Sequence, residues 1–138
     1  MPCELGRPQI ARALAVNTDP EVLRWGVKAA EVVLDGEPVL DASLAGELRR
    51  LARMRELPAE VRAGAITALG VCASEDVVPW LRDALTEADL HVAAAAARCL
   101  LERAPERFRE QVAPVAAAWP TNGSVPYDVV AVRELLDG

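Results

Sequence analysis

Apolar positions recur at intervals of three and four residues along almost the whole chain. Leu44, Leu48 and Leu51 form one such stripe, Val78, Leu81 and Leu85 a second, and Phe108, Val112, Val115 and Trp119 a third. No segment keeps a two-residue alternation bounded by turn signals, so the pattern predicts helices and no sheet. Helix starts are marked by side chains that cap free backbone N–H groups. Asp19 precedes Pro20 and Glu21, Asp89 precedes an alanine-rich run, Ser74 precedes Glu75 and Asp76, and Asp41 and Ser124 are further candidates. Together these signals predict helices near 7–16, 20–34, 41–56, 59–73, 76–87, 90–103, 105–119 and 126–136. The connections are short, so neighbouring helices should run antiparallel. The longest are LDGEPVLD at 34–41 and WPTNGSVP at 119–126, and the second sets off the last helix as a cap or tail.

Three of the segments align with one another. Written in register, they are DPEVLRWGVKAAEVV from Asp19, PAEVRAGAITALGVC from Pro58 and DLHVAAAAARCLLER from Asp89. Val22, Val61 and Val92 coincide, then Gly26, Ala65 and Ala96, then Ala29, Ala68 and Cys99. Each is followed by a second amphipathic helix, and the unit of about 31 to 39 residues matches that of stacked helical hairpins. The first helix of each unit is rich in alanine and glycine, most of all at Ala93–Ala97. A glycine inside a helix costs about 1 kcal/mol relative to alanine, so Gly26 and Gly64 imply a compensating close approach of backbones.

The string EVRAGAITALG…EDVVPWLRDAL resembles a HEAT repeat, of the short bacterial type also found in phycobilin-lyase-like proteins. The resemblance is closest over 58–88; Leu23 and Ala93 replace Arg62 in the units before and after. It implies an all-α fold: a right-handed α-solenoid (armadillo/HEAT-like superhelix) of about three hairpins plus a half-repeat at each end, forming one domain over 1–138. Residues 7–16 would then be the second helix of a truncated first unit, and 126–136 a lone first helix. It also implies that second helices line a concave face that holds partners, and that the protein is a non-catalytic interaction module or scaffold. The same likeness admits two other readings. One is a tetrapyrrole-handling protein like the phycobilin lyases; the other is a HEAT-like nucleic-acid-binding protein, as in some DNA glycosylases.

Composition narrows these readings. Over 138 residues, 52% apolar and 26% charged describe an ordinary globular chain. A net charge of −6 argues against nucleic acid, which selects basic surfaces. Lys28 is the one lysine against fourteen arginines, which we read as the coding bias of a GC-rich bacterial genome. Cys3, Cys72 and Cys99 have neither metal-ligand spacing nor a disulfide framework, and Cys3 is expected in a frayed terminus. The chain has no apolar run of about 18 residues and its start lacks the apolar core of a signal peptide, so the expected compartment is the cytoplasm.

Candidate chemistry is sparse. His91 is the one histidine, with no oriented acid or nucleophile beside it, and it reads as a surface residue of a first turn. The glycines form no phosphate loop, and paired carboxylates such as Glu75 and Asp76 sit at helix starts. No catalytic, metal or cofactor residue is assigned. Two surface features point to a protein partner. Arg49, Arg50 and Arg53 project opposite the leucines of helix 41–56, and Arg55 and Arg62 join them in one arginine cluster. Trp80, with Arg82 beside it, lies on the flank of its helix, and Trp and Arg are residue types that anchor interfaces. Partner contact is therefore assigned to Trp80, Arg82, Arg49, Arg50 and Arg53, while Trp25 and Trp119 are expected in the core or between repeats. The protein is expected to be a monomer or a weak homo-oligomer, since incomplete terminal units leave apolar ends that could pair.

Overall fold

A computed structural model describes residues 6–138. It contains α1 (Arg7–Val16), α2 (Pro20–Leu34), α3 (Ala42–Arg53), α4 (Ala59–Gly70), α5 (Val78–Ala84), α6 (Leu90–Arg103), α7 (Pro105–Ala117) and α8 (Tyr127–Asp137), with a 3-10 turn at Glu75–Val77 and no strand among the described residues. Cys3 lies outside the described residues. No helix of the described residues is long and apolar enough to cross a membrane.

The caps work through ordinary hydrogen bonds. The Asp19 carboxylate accepts from the Glu21 N–H at 2.9 Å, Asp41 from Leu44 at 3.0 Å, Ser74 from Asp76 at 3.1 Å, and Asp89 from His91 at 2.8 Å. Ser124 caps nothing, because α8 starts three residues later with Pro126 at its N-cap and no side-chain bond there. Three helices are shorter than their apolar periodicity suggests. Pro58 bars Leu57 from helical geometry, so α3 stops at Arg53 and residues 54–57 turn. α4 stops at Gly70 because the chain beyond it pairs with the α2–α3 connection: Gly36 N–H donates to the Val71 carbonyl at 2.9 Å and Ala73 N–H to the Glu37 carbonyl at 2.8 Å. The segment expected at 76–87 divides into the 3-10 turn and the short α5, which carries Pro79 in its first turn.

The helices form two layers. First helices α2, α4, α6 and α8 each pack on the next, making a continuous inner seam. In the second layer α1 packs on α2 and α3, α3 on α4, α5 on α6, and α7 on α6 and α8. Helices α3 and α5 are bridged by α4 and α6, with at most marginal backbone contact between them. The seam explains the alanines. Ala93–Ala97 are each at most 2% exposed, because α6 is enclosed by α4, α5, α7 and α8. A Cβ at Gly64 would lie 3.0 Å from Val27 Cγ1, one at Gly26 2.7 Å from Leu14 Cδ2, and one at Gly70 2.6 Å from Cys99 Cβ. Substituents larger than hydrogen have no room at the last two sites.

Arginine has a structural use that coding bias does not account for. The last carbonyls of a helix lack internal partners and carry its negative dipole end. A planar guanidinium from a neighbouring element can satisfy several at once. Arg50 donates to the Leu14 carbonyl at 3.0 Å at the end of α1, and Arg62 to the Ala52 carbonyl at 3.0 Å at the end of α3. Arg103 reaches the Gly70, Cys72 and Ser74 carbonyls beyond α4. Arg133 holds the Trp119 and Pro120 carbonyls after α7, and Arg109 those of Leu135 and Leu136 in α8.

This corrects one expectation for the arginine cluster. Arg62 is no surface residue: it is 5% exposed and also ion-pairs with Glu87 at 3.1 Å and Asp89 at 3.5 Å. Arg50 is spent on Leu14 and on Glu47, also at 3.0 Å. The two tryptophans expected inside divide: Trp119 is buried, whereas Trp25 is 51% exposed. Trp25 lies on the side of α2 away from α4, where no earlier first helix is present among the described residues.

Two pairs of substitutions test this packing. Gly70→Ala should lose about 1–3 kcal/mol by overpacking against Cys99. Gly46→Ala, in exposed α3 where a Cβ would meet nothing within 4 Å, should gain about 0.5–1 kcal/mol. Arg103→Lys, which keeps the charge but loses the fork, should cost about 1–3 kcal/mol, and Arg53→Lys, on the surface, less than about 0.5 kcal/mol. Urea unfolding measures all four; equal effects within either pair would contradict the packing described.

Candidate functional site

The gap between α3 and α5 is the one place where residues proposed from sequence meet. Arg49, Ala52 and Arg53 form its α3 wall; Trp80, Asp83 and Ala84 form its α5 wall. Ile66 and Leu69 of α4 and Val92 of α6 make an apolar floor, and Glu87 closes one end. The enclosed volume is about 120 Å³, enough for one side chain. Both walls follow from local sequence: the leucines of α3 and of α5 turn to the core, so Arg49, Arg53 and Trp80 are left on the facing flanks.

The Arg49 guanidinium lies 4.2 Å from the centre of the Trp80 ring. At this exposure a cation over an aromatic face contributes about 0.5–1 kcal/mol. The stacked pair spans the trough and divides it. Beyond it lies a second, more open hollow of about 530 Å³ lined by Leu40, Ala42, Ala45, Gly46 and Asp76, in which Arg49 and Trp80 also take part. Among the described residues no carboxylate is within ion-pair distance of Arg49 or Arg53, whereas Glu87 is engaged by Arg62. The trough therefore offers two cations without carboxylate partners among the described residues, an aromatic ring and an apolar floor.

The other proposed residues lie elsewhere. Arg50 turns to α1, as described. Arg82 is exposed on the far side of α5, its guanidinium 5.5 Å from the ring centre of buried Phe108 in α7. Arg55 is exposed in the turn after α3. Asp83, which neighbours Trp80 in the sequence, lines the trough as well, and Gly46 was not singled out in the sequence. Gly46 carried a signal: it stands one turn before Arg49 in an exposed helix, where alanine would be more stable and nothing in the fold requires glycine.

Groups with other chemistry are occupied. Burial pushes the Cys99 thiol up to about 12, which removes its thiolate at neutral pH. Buried Cys72 donates its S–H to the Glu37 carbonyl at 3.2 Å. His91 is half exposed, 3.6 Å from the Asp89 carboxylate that caps its helix. The Glu75 carboxyl is held below its usual range chiefly by a hydrogen bond from Arg107, then by the charges of Arg107 and Arg103. Among the described residues no group of three or more His, Cys, Asp or Glu is disposed to hold a metal ion.

A family model described as HEAT repeats matches residues 48–119, just over half of the chain, and this span contains the whole trough except its outer rim. No curated protein and no solved structure matches the chain.

The thiol environment is open to test. In Cys3→Ser protein at pH 8, Cys72 and Cys99 should react with a disulfide reagent only on the timescale of unfolding, and completely in denaturant. Rapid stoichiometric labelling of the native protein would contradict the burial described.

Proposed function

The chain belongs to the HEAT-repeat family, and on that premise we propose that it is a non-catalytic protein-interaction module whose partner docks in the α3/α5 trough. HEAT repeats generally mediate protein–protein interaction and are generally non-catalytic scaffolds. The observation that carries the reading is the Arg49–Trp80 pair over an apolar floor, with Arg53 beside it. Neither arginine clasps a helix end or a carboxylate of the described residues, unlike Arg50, Arg62 and Arg103. The fold thus leaves these two guanidinia available, and their charge favours an acidic segment of the partner.

The partner anchors an apolar side chain on Ile66 and Leu69 and sets a carboxylate against Arg49 and Arg53. Arg82 contributes at the rim, and Arg50 contributes through the position of α3 rather than by contact. The reading puts the trough on the concave face that second helices are expected to line, and it rests on the trough whichever way the stack bends. Its volume of about 120 Å³ suits one side chain of a partner. Two cations opposed by Asp83, in a chain of net charge −6, suit a peptide carboxylate better than a phosphate backbone.

Affinity capture from native lysate tests the proposal. A partner held by the wild type should bind a Trp80→Ala/Arg53→Glu double variant at least about tenfold more weakly, the effect of losing one anchor. Circular dichroism and melting should show the variant as folded as the wild type. A partner retained at full strength by the folded variant would refute this placement.

A further inference from the structure

We propose that the open α2 end of the stack is a self-association surface, on which a second copy of this chain docks through the same strip about a two-fold axis. The strip follows from the repeat register. On α4 the side that meets the preceding first helix carries Val61, Gly64 and Ala68, and Gly64 lies against Val27 of α2. On α6 the equivalent residues are Val92, Ala95 and Cys99, all buried, with Cys99 against Gly70 of α4. On α8 they are Val129 and Val132, both buried against α6, and half-buried Leu136. The same positions on α2 are Val22, Trp25 and Ala29, continued by Val32 one turn on. No first helix precedes them among the described residues, and Trp25 and Val32 are 51% and 76% exposed.

The residue identities show what fits there. Trp25 stands where the seam elsewhere has Gly64 and Ala95, so another first helix could not approach α2 at seam spacing. A second copy in antiparallel orientation, with the axis at the middle of the strip, sets Trp25 of one copy beside Ala29 of the other and Val22 beside Val32. Large meets small twice, which makes the strip its own complement. The opposite end of the stack is a poorer match for the strip. At the positions where α2 presents Val27 and Ala30 to α4, α8 presents Glu134 and Asp137, both exposed, beside exposed Val130. Two carboxylates at that end disfavour head-to-tail stacking, whereas the self-complementary strip closes as a dimer.

Sedimentation velocity on the full chain, from micromolar to near-millimolar concentration, reads this directly. The wild type should show a monomer–dimer equilibrium. Trp25→Glu and Val32→Arg should each weaken it at least about tenfold while leaving helicity and melting unchanged, since both side chains are exposed. Trp80→Ala should dimerise like the wild type, which separates this end from the trough. Removal of residues 1–5 should leave the dimer intact. A wild type that stays monomeric throughout, a Trp25→Glu variant that dimerises undiminished, or a dimer that forms only once residues 1–5 are removed would overturn the proposal; the last would show that the chain's own start covers the strip.

Discussion

Close approach of the first helices is the constraint on which the rest of the structure depends. Gly70 meets Cys99 at a distance that leaves no room for a larger group, Gly64 lies close against Val27, and the five alanines of α6 are enclosed on every side. A seam this tight buries little apolar surface per residue, so stability has to come from density of packing and from the leucines of the second layer. It also sets the spacing of that second layer. The helices α3 and α5 sit on the flanks of a narrow α4–α6 pair, and the space between them becomes the trough.

Arginine completes the architecture. Short helices end often, and each end leaves carbonyls that need donors. Lysine supplies one point charge on a flexible stem, whereas the guanidinium fork reaches two or three carbonyls at once, as Arg103 does. The chain spends Arg50, Arg62, Arg103, Arg109 and Arg133 in this way. Others hold first helices together at the surface: Arg24 joins α2 to Glu60 of α4, and Arg98 joins α6 to Asp128 of α8 at 2.9 Å. Arg49 and Arg53 do neither, and they border the same apolar floor. A function in binding follows from this contrast more than from the count of surface charges.

Much of the fold was legible in the sequence because its determinants are local. Periodicity and the Asp and Ser caps gave the helices, and the aligned small residues gave the seam. Helix ends were less legible where distant contacts decide them, as at Gly70, whose following residues pair with residues 36 and 37. Arg62 was less legible for the same reason. Its place near the start of α4 does not show that the Ala52 carbonyl, Glu87 and Asp89 converge on its guanidinium from the end of α3 and from the α5–α6 connection. Trp25 sits at a seam position in register with Gly64 and Ala95, and only the arrangement of helices shows that no first helix precedes it among the described residues. The Arg49–Trp80 pair joins residues of two hairpins, and no spacing within one helix announces it.

The seam can be measured in solution. Proton NMR of isotope-labelled protein should give a strong Overhauser cross-peak between a Gly70 Hα and the Cys99 Hβ protons, since a Cβ in place of that hydrogen would be 2.6 Å from Cys99 Cβ. An assigned spectrum lacking that cross-peak, with both residues otherwise ordered, would contradict the close helix contact on which the stack, the trough and the open α2 end all depend.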